Sequence, residues 1–262
     1  MAFTLDKFAL QGKVAIVTGA GGRKNGIGEA YCFGLAAAGA TVIAADINLA
    51  GAEGAAARLR EAGYNAIGAQ VDITNEASIA ALAKLASDQF GGIDILVNNA
   101  ALMVEMDMSK GCIGADNAEW DRMMNVNVKG AWLMCKAFAP QMIARGGGKI
   151  VNQVSAGAYP AASIYGITKL AVVGLTTTLA RELGKQKINV NAIAPGNTMS
   201  EAGAALTPPG SPFRAMVEAM CTVEPVADPE ALVGALMLLV SAAGEWMSGQ
   251  VLHVDGGLVI RP

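Results

Sequence analysis

The chain contains a single histidine, His253, among its 262 residues. The usual zinc sites draw on several histidine or cysteine ligands, and both the Ser-His-Asp triad and the Cys-His dyad need a histidine beside the nucleophile. One histidine cannot supply these parts, so we predict no metal site and neither kind of nucleophilic centre. We assign His253, which precedes Asp255 in the last predicted strand, a structural or subunit-contact role.

Charge is also scarce, because Asp, Glu, Lys and Arg make up only 16% of the residues. The longest basic run is Arg23-Lys24, which predicts no nucleic-acid partner. The longest stretch without charge, Ile150 to Thr168, carries too many polar side chains to cross a membrane, and the N-terminus lacks a signal-peptide pattern. Four cysteines without CxxC spacing indicate reduced thiols and a cytoplasmic protein: Cys32, Cys112, Cys135 and Cys221.

Hydrophobic residues, in contrast, make up 53% of the chain and follow a regular pattern. Short β-branched runs alternate with longer amphipathic stretches, which predicts strands and helices in turn. Strands are predicted at residues 14–18, 41–45, 66–71, 93–97, 149–154, 188–193 and 250–255. Helices are predicted at residues 26–38, 50–61, 76–90, 119–144, 163–183 and 229–241. This alternation predicts an α/β fold, a doubly wound parallel sheet with helices on both faces, formed by residues 1–262 as a single domain.

The pattern weakens between Pro195 and Pro229, where five prolines fall in residues 207–229. We predict an irregular loop with short helices here, and a substrate lid at about residues 200–225. Its large apolar side chains favour an apolar substrate: Leu206, Phe213, Met216 and Met220. Five methionines either line an apolar pocket or belong to the ordinary core: Met103, Met106, Met108, Met216 and Met220.

A glycine-rich segment, Thr18 to Gly28, follows the first predicted strand and opens the first predicted helix. Glycines let the backbone turn tightly and lie against a pyrophosphate at a helix N-terminus, so this context predicts a dinucleotide site. Asp46 ends the second predicted strand, 18 residues after Gly28. Its carboxylate would accept hydrogen bonds from the adenosine ribose and repel a 2′-phosphate, which favours NAD over NADP.

Tyr165 and Lys169 stand four residues apart in a predicted helix, so one helix face carries both side chains. A free tyrosine has a pKa of about 10, which is too high for efficient proton exchange at neutral pH. We expect the Lys169 ammonium to favour the phenolate and lower the pKa of Tyr165, with the positive nicotinamide of an oxidised cofactor contributing. The pair therefore predicts an acid–base centre.

Together these segments resemble the short-chain dehydrogenase/reductase family over essentially the whole chain, which implies a Rossmann-type fold. The glycine segment is similar to the family fingerprint, with six residues rather than three between Gly19 and Gly26. The longer loop carries Arg23 and Lys24, and in NADP-preferring relatives a basic residue of this loop contacts the phosphate. We interpret both as a solvated loop tip, because Asp46 is present, and we expect NAD rather than NADP.

The resemblance also implies the cofactor contacts. They are Gly19, Asn25, Gly26, Ile27, Gly28, Asp46, Asp72, Ile73, Asn99, Ala100, Tyr165, Lys169, Pro195, Gly196 and Thr198. Asp72 resembles the aspartate that binds the adenine ring, and Asn98-Asn99-Ala100-Ala101 resembles the motif that stabilises the sheet under the cofactor. Ala101 stands where the family has glycine, which is tolerated if its φ is negative. The segment of Pro195, Gly196 and Thr198 resembles the one that contacts the nicotinamide carboxamide.

The resemblance further implies the catalytic residues Asn127, Ser155, Tyr165 and Lys169. Ser155 would orient the substrate oxygen, although it lies ten residues before Tyr165 where many family members have a gap of thirteen. Ser163 is the alternative hydroxyl, but on the helix it would point away from the phenol. Asn127 resembles the asparagine that holds a water for proton relay to Lys169.

The predicted function is that of an NAD(H)-dependent short-chain alcohol dehydrogenase or ketone reductase. It would interconvert a secondary alcohol and its ketone, on an apolar substrate that is aromatic or alicyclic. Two alternatives stay open: a 3-oxoacyl thioester reductase, and a non-catalytic dinucleotide-binding sensor or scaffold. The resemblance also implies a homo-oligomer, a tetramer or dimer, built through the helices predicted at residues 119–144 and 163–183.

Overall fold

A computed structural model describes residues 4–22, 25–103 and 111–261 of the chain. The predictions made for Arg23, Lys24, Met106 and Met108 lie outside these residues. All four cysteines are free: Cys32 and Cys135 are buried, Cys221 is half-buried and Cys112 is exposed. Among the described residues, no helix combines the length and the apolar character that a membrane crossing requires.

The centre of the described fold is a seven-stranded sheet in which every pairing is parallel. Its strands are β1 (Val14–Thr18), β2 (Thr41–Asp46), β3 (Ala66–Gln70), β4 (Ile95–Asn98), β5 (Gly148–Gln153), β6 (Ile188–Pro195) and β7 (Val251–Val254). They lie in the order β3-β2-β1-β4-β5-β6-β7, so the direction of winding reverses between β1 and β4. The predicted doubly wound parallel sheet is confirmed.

The helices connect successive strands and cover both faces of the sheet. They are α1 (Ile27–Ala37), α2 (Leu49–Glu61), α3 (Glu76–Phe90), α4 (Asn117–Met124), α5 (Ala131–Ala144), α6 (Ile164–Leu183), α7 (Glu201–Leu206), α8 (Pro212–Met220) and α9 (Val233–Val240). Residues Pro229–Leu232, predicted as α-helix, form a 3-10 turn that leads into α9. The irregular segment with short helices, predicted after Pro195, contains α7 and α8.

Alternate residues of the strands enter two separate cores, one on each face of the sheet. Ala15 and Val17 of β1 pack with α1, α2 and α9, whereas Ile16 between them packs with α3, α5 and α6. Because side chains of a strand alternate between faces, a strand covered on both sides must be apolar at every position. This explains the continuous apolar runs from which the strands were predicted.

The long helix predicted at residues 119–144 is not regular. It begins at Asn117, where the Asp116 side chain accepts a hydrogen bond of 2.8 Å from the Glu119 amide. Residues Asn125–Gly130 then form a π-helical turn that separates α4 from α5. A π turn shifts the hydrogen-bond ladder by one residue, and such turns occur often at functional sites.

Strand β4 begins at Ile95, two residues later than predicted, and the residue before it anchors the amino edge of the sheet. The buried Asp94 carboxylate accepts hydrogen bonds from the Val14 amide at 2.9 Å and from Arg145 Nη2 at 2.8 Å. Lys13 Nζ lies 3.3 Å from the same carboxylate. Burial alone would raise the pKa of Asp94, but the bonds from Arg145 and Val14 and the two cations outweigh it and hold the pKa below its usual value.

We expect Asp94→Asn to lower the free energy of unfolding at neutral pH by about 2 kcal/mol, because it removes the charge that Arg145 and Lys13 face. Since the folded-state pKa of Asp94 is depressed, its stabilisation is present above the unfolded-state value of about 3.9 and is lost as the pH falls. Denaturant unfolding of both proteins from neutral to acidic pH should show the difference shrinking. Asp88→Asn, which removes an exposed pair with Lys84, is the matched control and should change little. A difference that grows towards acidic pH would contradict this assignment.

Candidate active site

The carboxyl ends of the strands form the edge of the sheet where the predicted site residues lie. Because the winding reverses between β1 and β4, the connections leaving these two strands diverge and open a crevice. The glycine segment follows β1, Asn99 follows β4 and Ser155 follows β5. Asp46 ends β2, and Pro195 ends β6.

The glycine segment packs too closely for side chains at three positions. A Cβ on Gly21 would lie 2.1 Å from the Ala52 amide nitrogen. Gly19 has a φ of +69°, and a Cβ there would lie 2.8 Å from the Ala100 Cα. A Cβ on Gly28 would lie 2.5 Å from the Gly19 carbonyl oxygen. Asn25 has a φ of +54°, and its Nδ2 lies 3.4 Å from the Met199 carbonyl oxygen, which joins the segment to the start of the predicted lid.

Asn99 holds this segment in place from the end of β4. Its Nδ2 donates to the carbonyl oxygens of Thr18 at 2.9 Å and Gly19 at 3.2 Å. In return, Thr18 Oγ1 accepts from the amides of Asn99 and Ala100, both at 3.1 Å. Ala101 is not among the described non-glycine residues with positive φ, so the condition for tolerating alanine at that position is met.

The Asp46 carboxylate faces the glycine segment. Its two oxygens accept hydrogen bonds of 3.0 Å from the amides of Gly21 and Asn48. A Cβ on Gly22 would lie 3.6 Å from Asp46 Oδ2, so the backbone of Gly22 lies close to the carboxylate. Helix α1 begins after Gly26 without a side-chain cap, which leaves its first amides available to an anion. These features fit the adenosine and pyrophosphate of a dinucleotide.

Asp72 and Ile73 lie after β3 and have local partners. Asp72 Oδ1 accepts from the amide of Thr74 at 2.8 Å and from its hydroxyl at 2.7 Å. Ile73 is buried against the π turn, because a Cβ on Gly130 would lie 2.8 Å from its Cδ1 atom. Asp72 is half-buried and stays reachable from the edge of the sheet, whereas the Ile73 side chain belongs to the core.

The segment after β6 turns its polar side chains inward. Thr198 Oγ1 lies 3.1 Å from Ser200 Oγ, and Ser200 caps α7 by accepting from the Gly203 amide. A Cβ on Gly196 would lie 2.6 Å from the Asp255 Cα, so this position packs against the end of β7. Asn197 was not among the predicted site residues, although its Nδ2 atom is buried and has no partner among the described residues. Its position next to Gly196 is the sequence feature that could have pointed to it as a site residue.

Tyr165 and Lys169 lie one turn apart near the start of α6. Ser163 caps this helix by accepting from the Gly166 amide at 3.1 Å, which gives its hydroxyl a structural partner. Lys169 is almost completely buried, and its Nζ atom donates to the Gln153 carbonyl oxygen at 2.8 Å. The same Nζ atom lies 5.6 Å from the centroid of the Tyr165 ring.

Burial dominates the proton affinity of both groups. It lowers the pKa of Lys169 to about 8 and raises the pKa of Tyr165 to about 12, where a hydrogen bond with the Ser155 side chain offsets part of the rise. The expectation that Lys169 lowers the pKa of Tyr165 is therefore wrong for the protein's own groups. The ammonium of Lys169 is directed to the Gln153 carbonyl, so it does not compensate for the burial of the phenol.

The loop between Ser155 and Tyr165 packs against the last strand and the C-terminal segment. Ser155 is half-buried, and its Oγ atom accepts from the Gly157 amide at 3.1 Å. The ring of Tyr159 stacks on His253 with centroids 4.7 Å apart, and the Arg261 guanidinium lies 4.0 Å from the Tyr159 ring centroid. His253 Nδ1 lies 3.2 Å from an Asp255 oxygen. These contacts support the structural interpretation of His253.

Comparison with known proteins agrees with this geometry. The family model described as enoyl-(acyl carrier protein) reductase matches residues 21–259. An uncharacterized oxidoreductase of Mycobacterium tuberculosis is 42% identical over 249 residues, which cover 95% of this chain and 98% of the relative. The chain belongs to the short-chain dehydrogenase/reductase family.

Two solved structures show how closely this short-chain dehydrogenase/reductase matches others. A 7α-hydroxysteroid dehydrogenase, solved with NADH and 7-oxo glycochenodeoxycholic acid, has a TM-score of 0.86 at 32% identity and is matched over 98% of both chains. A gluconate 5-dehydrogenase of Burkholderia cenocepacia, solved with NADP and tartrate, has a TM-score of 0.88 at 34% identity over 97% of this chain and 98% of its own. These similarities support an oxidoreductase.

In this short-chain dehydrogenase/reductase, the Asn127 side chain is fully engaged inside the π turn. Its Oδ1 atom accepts from the Leu102 amide at 2.8 Å, and its Nδ2 atom donates to the Leu102 carbonyl at 3.0 Å. Nδ2 also lies 3.1 Å from Thr168 Oγ1, and that hydroxyl donates to the Tyr165 carbonyl at 2.7 Å. Asn127 thus links the segment that follows β4 to α6, the helix that carries Tyr165.

The segment at residues 201–220 of this family member presents an apolar helix face. Phe213, Met216 and Met220 of α8 are each about half exposed, whereas Val217 is buried. Arg214 and Glu218 form an ion pair of 2.6 Å on the same helix. Within residues 4–22, 25–103 and 111–261, no group of three or more His, Cys, Asp or Glu side chains is placed to hold a metal ion.

We expect Asn127→Ala to lower the free energy of unfolding by about 2 kcal/mol, because the amide and carbonyl of Leu102 lose their partner in a buried environment. Thermal and denaturant unfolding would measure the loss. Asn125→Ala, two residues earlier in the same π turn, is the matched control, since Asn125 is only half-buried. Equal stabilities of the two variants would show that the Asn127 contacts do not hold the segment.

Proposed function

We propose that this chain is an NAD(H)-dependent oxidoreductase that interconverts a secondary alcohol and its ketone, with residues 1–262 acting as one domain. The observation that carries the proposal is the arrangement of Tyr165, Lys169 and Ser155 beside the crevice. A phenol close to a serine hydroxyl, one helix turn from a buried ammonium, is suited to proton exchange with a substrate oxygen.

The reaction divides between the protein and the dinucleotide. A bound nicotinamide supplies the hydride acceptor in oxidation and the hydride donor in reduction. Ser155 orients the substrate oxygen, and Tyr165 takes the hydroxyl proton in oxidation and returns it in reduction. The pKa of Tyr165 near 12 is too high for this task, and Lys169 does not offset the burial of the phenol, so the positive charge of a bound oxidised nicotinamide would have to lower it.

Lys169 is suited to pass the proton on. Its pKa of about 8 lies close to neutrality, so the group can hold or release a proton under working conditions. Asn127 would serve the relay through its main-chain carbonyl, because its side chain is engaged with Leu102 and Thr168. The π turn that contains Asn127 supports this role, since the regular pattern of main-chain hydrogen bonds of the α-helix is interrupted there.

The preference for NAD rests on Asp46 at the end of β2. Its buried carboxylate faces the glycine segment and would lie against the adenosine ribose, where it repels a 2′-phosphate. The related structures contain NADH in one case and NADP in the other, so the choice within the family depends on local residues. We therefore assign the preference to Asp46 in this chain.

The substrate is proposed to be apolar and alicyclic or aromatic. The exposed apolar face of α8, with Phe213, Met216 and Met220, would cover such a molecule as a lid over the crevice. The similarity to a 7α-hydroxysteroid dehydrogenase supports an alicyclic alcohol, whereas the similarity to a gluconate 5-dehydrogenase represents a polar alternative. A panel of alicyclic, aromatic and polyhydroxy alcohols, with a 3-oxoacyl thioester, would separate these classes.

A homo-oligomer in the cytoplasm completes the proposal. Trp132 on α5 and Leu170 on α6 are 40% and 43% exposed, which gives the two helices apolar surface that a second copy of the chain could cover. Light scattering of the purified protein would report whether it is a dimer or a tetramer.

We expect Tyr165→Phe to reduce turnover of the best substrate on the order of a hundredfold or more, because it removes the group that exchanges the proton. Binding of NADH, followed by fluorescence, should stay within about twofold of wild type. Tyr159→Phe, in the neighbouring loop, is the control and should keep its activity, since Tyr159 contacts His253 and Arg261 through its ring. Unchanged turnover of Tyr165→Phe would refute the catalytic assignment. A wild-type protein that binds NADH but oxidises no alcohol would instead support the sensor alternative.

We expect Asp46→Asn to shift the ratio of kcat/KM for NAD over NADP towards NADP, on the order of tenfold, because it removes the charge that repels the 2′-phosphate. The asparagine keeps an acceptor for the Gly21 amide, so the glycine segment retains its support. Asp46→Ala removes both the charge and the hydrogen-bond acceptor, and it should also weaken the binding of NAD. No change in the ratio for either variant would exclude Asp46 as the selecting group.

A further inference from the structure

Tyr31 and Gln153 form a buried polar pair that the roles assigned above do not use. Tyr31 lies on α1, four residues after Ile27, and is completely buried. Its hydroxyl donates a hydrogen bond of 2.8 Å to Gln153 Oε1. The two residues are 122 positions apart in the chain, so the bond joins the helix that follows the glycine segment to the last residue of β5.

The protonation state of Tyr31 determines how the Gln153 amide is oriented. Burial raises the pKa of Tyr31 far above its ordinary value, so the phenol keeps its proton and must donate it. Within the described chain, Gln153 Oε1 is the acceptor that receives this proton. Rotating the amide by half a turn would leave a buried hydroxyl without an acceptor, which is costly. The amide oxygen therefore points to Tyr31 and the amide nitrogen points away from it.

The amide nitrogen of Gln153 is left available. It donates no hydrogen bond within the described residues, and it is not among the enclosed polar atoms that lack a partner, unlike Asn197 Nδ2. A small part of Gln153, 7% of the residue, stays accessible. An unpaired N–H group that solvent can reach is ready to donate to a ligand.

Gln153 also lies at the reacting end of the crevice. Its carbonyl oxygen accepts the hydrogen bond from Lys169 Nζ, and Ser155 follows two residues later. The amide therefore stands between α1, whose start fits a pyrophosphate, and the lysine of the proposed proton relay. An acceptor oxygen of the nicotinamide half of the dinucleotide, on its ribose or on the pyrophosphate, suits this position.

We propose that Gln153 is a cofactor-binding residue whose amide N–H donates to an oxygen on the nicotinamide half of the dinucleotide, and that Tyr31 is the positioning residue that orients this amide. The proposal rests on the proposed use of a nicotinamide dinucleotide. It assigns the two residues separate tasks, because Gln153 touches the cofactor and Tyr31 acts only through Gln153.

The test compares dissociation constants for NADH, read from fluorescence, with those for AMP, read by calorimetry. Gln153→Met removes both N–H donors of the amide at similar side-chain volume. It should raise the dissociation constant for NADH about tenfold and leave the dissociation constant for AMP unchanged, since AMP lacks the nicotinamide half. Tyr31→Phe should weaken NADH by a smaller factor, because the amide is then free to rotate. In the double variant, Tyr31→Phe should add no further loss, which is the signature of action through Gln153.

Two further variants keep the result interpretable. Tyr64→Phe changes a half-buried tyrosine packed against the same core and should leave NADH binding unchanged. Gln153→Glu keeps an acceptor for Tyr31 but replaces the donor by an acceptor, so it should also weaken NADH even if Gln153→Met folds poorly.

The outcomes separate this proposal from the proposed function. Wild-type affinity for NADH in both Gln153 variants would overturn the binding role while the oxidoreductase assignment stands. A full Tyr31→Phe effect in the Gln153→Met background would overturn the positioning role of Tyr31. NADH binding that depends on Gln153 in a protein that oxidises no alcohol would support this inference and contradict the proposed function. A wild-type protein that does not bind NADH would overturn both.

Discussion

The parallel pairing of β1 with β4 is the constraint on which the rest of the site depends. Val17 lies opposite Val97 in this pairing, so the glycine segment after β1 and the asparagines after β4 leave the sheet side by side. Asn99 can then hold the backbone of Thr18 and Gly19. Since β2 and β5 flank this pair on opposite sides, the crevice between the diverging connections has a carboxylate at one end and a hydroxyl–phenol pair at the other.

Several polar side chains are buried at this edge of the sheet. Lys169 and Tyr31 are removed from water, and each donates a hydrogen bond to a different segment of the chain, whereas Tyr165 is half-buried. In such an environment a hydrogen bond specifies orientation, because an unpaired group would be costly. Burial also explains why proton affinities move in opposite directions for the ammonium and the phenol. Charges that arrive with a ligand act strongly in the same low-dielectric region.

The sequence predicted much of this arrangement, because apolar alternation reports which segments are covered on both faces. It located the strands and the main helices to within a few residues, whereas the role of Ser163 as the cap of α6 was found only in the structure. It did not reveal the π turn at residues 125–130, since a one-residue shift in the main-chain hydrogen bonds of a helix does not show in the spacing of apolar residues. It also misjudged the pKa of Tyr165, because spacing places Lys169 nearby but does not tell how deeply the phenol is buried.

The sequence by itself determined the order of strands and helices, the parallel sheet and the family, because these follow from short-range periodicity and from motifs read along the chain. Only the tertiary structure decided the partners of the buried polar groups. Asn127 meets Leu102 and Thr168, and Tyr31 meets Gln153, across long separations in the chain. Such contacts depend on how helices pack across the sheet edge, a relation between distant segments that no local pattern of residues encodes.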